Sequence, residues 1–308
     1  MPATPAPDLK LGLIGLDTSH VLVFSDTFNN PASRQALPGA KVVAAWPGGS
    51  PDLHSSISRV PGYTVELRDK FGVAILDSIE AVVAVSDAIL LTSLDGRVHR
   101  AQFSRIAAVA QGKPVFIDKP FATTVADARA IFDTANEHGV KLFTSSSLRF
   151  SGALTRVVHA ANRADVTGAD FTGPVALEPT NPGLFWYGIH AVEMLYTTMG
   201  RGCRRVRCVT TEHHDLVTGV WADGRIGTIR GNRTGSFEFH GLVHFAKNSL
   251  HVNVQTEQKG FFTCLAEAIL EFLRSGRVPV DPEESMELIR FIVAANESRD
   301  HGGREVAL

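Results

Sequence analysis

Three short segments hold the residues best suited to chemistry. LGLIGLDTSH, residues 11–20, runs from a β-rich stretch into a helical one, and a turn of this kind aims free backbone N–H groups at a phosphate. A dinucleotide fingerprint asks for glycine at three positions of that turn. Gly15 fills the first, but Asp17 stands at the second and His20 at the third. Asp17 adds bulk and negative charge where a pyrophosphate would approach the backbone, and it reads equally as a helix N-cap, as does Thr18. Thr18 and Ser19 keep hydroxyls that can donate to a phosphate. FIDKPF, residues 116–121, ends a predicted strand in Asp118 and Lys119. A lysine at a strand end in a crevice can hydrogen-bond a reacting hydroxyl or carbonyl and stabilise developing charge; a surface lysine paired with Asp118 would do neither. WYGIHAVE, residues 186–193, brings Trp186, Tyr187, His190 and Glu193 close to one face of a helix, a spacing that also suits an ordinary core stripe.

Other candidates are weaker. The second predicted strand ends in AWPGGS with no acid until Asp52, so the ribose of a dinucleotide is held differently, a 2′-phosphate is tolerated, or no dinucleotide binds. Glu212, His213, His214 and Asp215, with Glu238, His240, His244 and His251, supply enough donors for a metal, and His240 and His244 share a strand face. No tight spacing such as HExxH accompanies them, so sheet-face histidines are the expectation and no metal is assigned. Arg205 and Arg207 share a strand face and read as a solvated or subunit-contact surface.

These segments need elements to position them. From Lys10 to about Ser147, short β-rich runs alternate with helical stretches, the pattern of βαβ units and a parallel sheet. Strands are predicted at 11–14, 41–45, 73–75, 88–91, 115–117 and 141–143, with the clearest helices at 97–111 and 125–137. After Arg149 a helix at about 152–162 leads into a loop rich in Gly, Pro and Thr, then a helical segment at 186–199. Strands at 204–211, 216–221, 226–232, 236–244 and 250–254 follow one another, with Asp223-Gly224 as a hairpin signal, and helices at 262–274 and 283–296 close the chain. The fold class is therefore α/β plus α+β: a doubly wound Rossmann domain, 1–148, then a mainly antiparallel domain, 149–308. A ligand is expected at the C-terminal ends of the first domain's strands.

Composition limits the possible partners. Thirty Lys and Arg against thirty-two Asp and Glu give a net charge of -2, so no global field draws nucleic acid or an anionic membrane. No apolar run approaches the roughly 18 residues of a membrane span. The opening MPATPAPDLK has neither a cationic start nor an apolar core and reads as a loose arm, so the expected home is the cytoplasm. Three cysteines cannot all pair; Cys203 and Cys208, an odd number apart on one strand, are expected on opposite faces as free thiols.

LLTSLDGRVH, GKPVFIDKPFATT and the closing EFLRSGRVPVDPEESMELIRFIVAANES, together with LRF at 148–150 and GIHAVEML at 188–195, resemble the Gfo/Idh/MocA family of glucose-fructose oxidoreductase and inositol dehydrogenase. Thr92, His99, Asp118, Lys119 and Pro120 match its motifs, with Ser93 in place of Pro and Asp118 in place of Glu. The resemblance implies an NAD- or NADP-linked oxidoreductase acting on a sugar, polyol or related hydroxyl compound. It puts Lys119 beside the nicotinamide and substrate; with the turn residues Gly15, Asp17, Thr18, Ser19 and His20 read above, Thr92, His99 and Asp118 are the candidates on the cofactor side. It also implies a catalytic His, matched by His190, with an Asp four residues earlier, where this chain has Trp186. Tyr187 or Glu193 is then the candidate orienter or proton donor, Trp186 a substrate wall, and Arg149 a contact to substrate oxygens.

Two further function classes stay open on the sequence: a non-redox lyase, hydratase or epimerase on the same fold, and a sugar-ligand sensor without turnover. A homo-oligomer through the open face of the second sheet is expected, because such a face usually needs a cover.

Overall fold

The computed structural model describes residues 7–160 and 163–308. The first six residues of the expected N-terminal arm, and Ala161 and Asn162 of the helix expected to reach 162, lie outside the described residues. The chain divides into two compact units, each discontinuous in sequence. One comprises the chain up to Phe121, Arg129–Thr144 and Ala266–Pro279; the other comprises Ala122–Ala128, Ser145–Leu265 and Val280–Leu308.

The first unit is built on β1 (Leu9–Ile14), α1 (His20–Asn29), β2 (Ala40–Trp46), α2 (His54–Ile57), α3 (Val60–Phe71), β3 (Ala74–Ile75), α4 (Ile79–Val85), β4 (Ala88–Leu91), α5 (His99–Ala110), β5 (Val115–Asp118), α6 (Val125–Glu137) and β6 (Leu142–Ser145). The sheet order is β3-β2-β1-β4-β5-β6, and each pair from β3 across to β5 is parallel. Strands covered on both faces read as unbroken apolar runs, which is why AILL in β4 and the VFI of β5 are buried throughout. The order reverses between β1 and β4, so the turns following these two strands flank the point where open parallel sheets take ligands.

The second unit contains α7 (Gly152–Ala160), β7 (Val166–Pro174), α8 (Ile189–Met199), β8 (Cys203–Thr210), β9 (His214–Trp221), β10 (Ile226–Asn232), β11 (His240–Phe245) and β12 (Ser249–Asn253). After α9 (Phe261–Ser275), which runs from this unit into the first, come α10 (Pro282–Asp300) and β13 (Val306–Ala307). Its seven-stranded sheet has the order β12-β11-β7-β10-β9-β8-β13 and is antiparallel except where β7 runs parallel to β10.

The expected loop after α7 is in large part β7, an interior strand of the sheet. Its glycines hid it. Gly168 is bare because a Cβ there would lie 2.8 Å from the Ile226 carbonyl, and Gly173 because the Phe239 ring would lie 2.5 Å from one. The cysteine expectation also fails in part. All three cysteines are free, but Cys203 and Cys208 are both buried, because a bulge between Cys203 and Arg205 shifts the strand by one residue. Helix α10 approaches β9 closely at Gly219, where a Cβ would stand 2.7 Å from the Phe291 ring. Val209, Leu216, Ile226 and Leu242 remain exposed on the sheet.

Gly219→Val is expected to push Phe291 out of its packing and cost about 1–3 kcal/mol, the usual range for overfilling a core. A lowered urea midpoint with an unchanged slope would show it.

Candidate active site

In the first unit the turn after β1 is pinned against the segment after β4. Gly15 has φ +91°, and a Cβ on it would stand 2.2 Å from the Ser93 hydroxyl and 2.6 Å from the Ser93 backbone, so only glycine fits. The Gly15 and Leu16 N–H groups donate to Trp46 and Pro47 carbonyls at 3.0 and 2.7 Å, while Thr92 Oγ1 donates to the Gly15 carbonyl at 2.8 Å.

The residues at the second and third fingerprint positions turn into the domain. Asp17 is fully buried and caps no helix; α1 has Ser19 at its N-cap position, with no side-chain cap bond. Instead, one Asp17 oxygen accepts from Leu94 N at 2.9 Å and the other from Ser56 Oγ at 2.6 Å, and Ser56 Oγ itself accepts from Ser50 N at 2.8 Å. Burial raises the Asp17 carboxyl above its ordinary value, and these two donors only partly oppose the shift. His20 Nδ1 bonds the Asp118 carboxylate, whose other oxygen accepts from Lys119 N at 2.8 Å. Burial alone would raise Asp118, but the His20 and Lys119 charges outweigh it and hold the carboxyl below its usual range. Thr18 is buried and Ser19 exposed.

Lys119 is buried at the end of β5, and the Lys119–Pro120 peptide is cis. Burial draws its ammonium downward, against the pull of Asp118 and with a smaller push from Arg59. His99 is fully buried and pushed down by burial; its ring nitrogens face the Ser93 carbonyl at 2.8 Å and the Phe121 carbonyl at 3.2 Å. It therefore ties together the segments that follow β4 and β5. Asp52, the first acid after β2, is spent on Arg97 through two 2.8 Å bonds.

In the second unit Ser146 follows β6 and accepts from Leu148 N at 3.2 Å; its hydroxyl lies 2.6 Å from His190 Nδ1. The Tyr187 and Phe239 rings both meet His190 edge-on, with centroids 5.4 Å away, and are parallel to each other within 9° at 6.5 Å. Trp186 is half-buried and Tyr187 exposed.

Glu193 and Arg149 meet in a buried ion cluster. Glu193 takes Arg149 Nε, as well as Ser145 Oγ at 3.2 Å, and Arg149 Nη1 donates to Glu284 at 2.7 Å. Burial would lower the Arg149 guanidinium, but the two carboxylates outweigh it and keep the side chain charged. Arg149 thus bridges Glu193 and Glu284 through Nε and Nη1, while its buried Nη2 makes no hydrogen bond among the described residues.

The histidine-rich strands are likewise spent on local contacts. His244 bonds Asp170 and Ser249 at 2.7 Å each, and His240 packs on His251 with ring centroids 5.8 Å apart. Among the described residues, no three His, Cys, Asp or Glu side chains form a metal set.

Residues 27–146 match the model of the Gfo/Idh/MocA oxidoreductase family with an NAD-binding Rossmann fold. Over this segment the chain is similar to the Gfo/Idh/MocA family. The match begins inside α1, beyond the altered fingerprint. An inositol 2-dehydrogenase of Cereibacter sphaeroides is 34% identical over 189 residues, 56% of this chain and 50% of the relative. The chain thus spans about half the length of the curated relatives it matches. Solved structures share the fold. GenD2 from gentamicin A biosynthesis, in complex with NAD, is 16% identical with a TM-score of 0.79 and covers 99% of this chain and 98% of its own. Scyllo-inositol dehydrogenase from Lactobacillus casei, with NAD(H) and scyllo-inositol, is 15% identical with a TM-score of 0.76, covering 97% and 99%.

The turn after β1 keeps the backbone form that a dinucleotide needs. The tight first-glycine turn is intact, and the side chains replacing the other two glycines are buried and held by interior partners.

The two buried acids give opposite pH dependences. With its pKa raised, Asp17 favours the fold fully below its ordinary value of 3.8, and that contribution is lost as the pH rises through the raised value. With its pKa lowered, Asp118 contributes fully above 3.8 and loses this as the pH falls through the lowered value. Thermal melts across pH should therefore show Asp17→Asn raising Tm towards neutral pH while barely changing it in acid. Asp118→Asn should cost about 3 kcal/mol or more near neutrality, the usual cost of orphaning a buried charge, and flatten the acid limb.

Proposed function

We propose that the protein is an NAD-linked oxidoreductase acting on a secondary hydroxyl of a polyol or sugar, or on the matching ketone. NAD, when bound, supplies the hydride acceptor. The backbone of the turn from Gly15 to His20, with Thr18 and Ser19, is the phosphate-facing part of the first unit. Thr92 and His99 hold the surrounding segments in place. Lys119 bonds the reacting hydroxyl and, as the neutral amine, takes up its proton, and His190 is the proton-handling group of the second unit. Tyr187 and Trp186 serve as substrate-facing aromatic surfaces.

The observation that carries this reading is Lys119: a buried lysine at a parallel strand end, with Asp118 beside it and its ammonium drawn down by burial, is placed to exchange a proton with a bound hydroxyl. The inositol dehydrogenases among the relatives support the substrate class and favour redox turnover over a lyase or sensor role. No helix among the described residues is long and apolar enough to cross a membrane, and free thiols suit the cytoplasm. The apolar residues exposed on the second sheet support assembly into a homo-oligomer.

The test is nicotinamide absorbance with NAD+ and a panel of inositols and sugars, on protein whose mass in solution is measured by light scattering. Turnover by an assembly larger than one chain is expected. Lys119→Met should lower kcat by about 10²–10⁴-fold while NAD+ still binds. A Lys119→Met enzyme as fast as the parent would refute the assignment.

A further inference from the structure

We infer that Ser146 is the positioning residue of His190, an inference that rests on His190 handling a proton as proposed above. Its hydroxyl lies 2.6 Å from Nδ1 and is fully buried, and the pair joins the end of β6 to the first turn of α8. Glu193, the acid one turn further along α8, is held by Arg149, and Trp186 stands one turn before. The orienting group is thus a neutral hydroxyl from a different element of the unit.

The hydrogen-bond inventory explains how it works. A serine hydroxyl has one proton and two lone pairs. Ser146 Oγ gives one lone pair to Leu148 N–H, which fixes the hydroxyl through the cap of the turn Ser147–Phe150. In the proposed tautomer the second lone pair accepts Nδ1–H, leaving Nε2 as the basic nitrogen; the 2.6 Å contact by itself fits either direction. When Nε2 takes up a proton the Nδ1–H···Oγ bond is unchanged, so the ring keeps its direction through the transfer. The Tyr187 and Phe239 rings, both edge-on to the imidazole, restrict rotation about the remaining axis. Gly173 makes room for the Phe239 ring.

The experiment combines two readouts on the full chain: long-range ¹H–¹⁵N spectra of the His190 imidazole, and kcat with KM for NAD+ and myo-inositol. In the parent protein, Nδ1 is expected protonated and Nε2 unprotonated at neutral pH. Ser146→Ala should mix the two tautomers and lower kcat by about 100-fold, the scale of a small misplacement, with KM for NAD+ unchanged. Ser146→Thr should restore both. Ser146→Asp keeps an acceptor for Leu148 should the alanine variant fail to fold; its charge beside Nδ1 should move the acid limb of kcat/KM to higher pH.

A Ser146→Ala spectrum identical to the parent, or an unmoved limb in Ser146→Asp, would overturn the inference. If His190→Gln abolishes turnover and Ser146→Ala does not, the positioning role falls while the proton role of His190 stands. If neither variant affects turnover, the proton role fails and the positioning role falls with it.

Discussion

A carboxylate taken out of water at the end of a strand must find a cation or several donors, and in the first unit that requirement organises everything around Lys119. Asp118 ends β5 almost fully buried. Its charge survives because His20 reaches it from the start of α1 and Lys119 follows it in the chain. A glycine at position 20 would leave the carboxylate without its imidazole partner, so this departure from the fingerprint and the acid of the DKP segment form one feature. Lys119 in turn keeps a charged neighbour that offsets part of its own burial.

Asp17 obeys the same constraint differently. Burial pushes its carboxyl up, where that of Asp118 is pushed down, because two hydrogen-bond donors, one from the backbone after β4 and one from Ser56 in α2, oppose burial less than the partners of Asp118 do. The bond to Leu94 joins the turn after β1 to the segment after β4 at the reversal point of the sheet. In the second unit a buried cation reverses the problem. Arg149 gathers Glu193 and Glu284, which removes the acid nearest His190 along α8 and leaves Ser146 as the partner of Nδ1. Each buried charge therefore decides which neighbouring side chain is available for chemistry.

Much of the fold was legible because periodicity carries it. β4, β10 and α6 have the bounds expected from apolar runs and helical spacing, and Lys119 was visible as a lysine following such a run. β7 was not, since its glycines serve a neighbouring carbonyl and the Phe239 ring, which are tertiary facts without a local signal. The inward turn of both Cys203 and Cys208 depends on a bulge that alternation cannot register. Asp17 was read at its own helix, but its partners lie 39 and 77 positions away. Ser146 sits in a run of three serines, and only the return of α8 distinguishes it from its neighbours.

The central claim is that the side chains at the second and third fingerprint positions are accommodated inside the first unit, so that a dinucleotide still binds over the turn at Gly15. Equilibrium titration of the purified protein with NADH, followed by nicotinamide fluorescence, tests it most directly. Saturable binding of one NADH per chain, competed by NAD+, is the expected result. No binding at millimolar NADH, from protein that releases no nucleotide on denaturation, would contradict it.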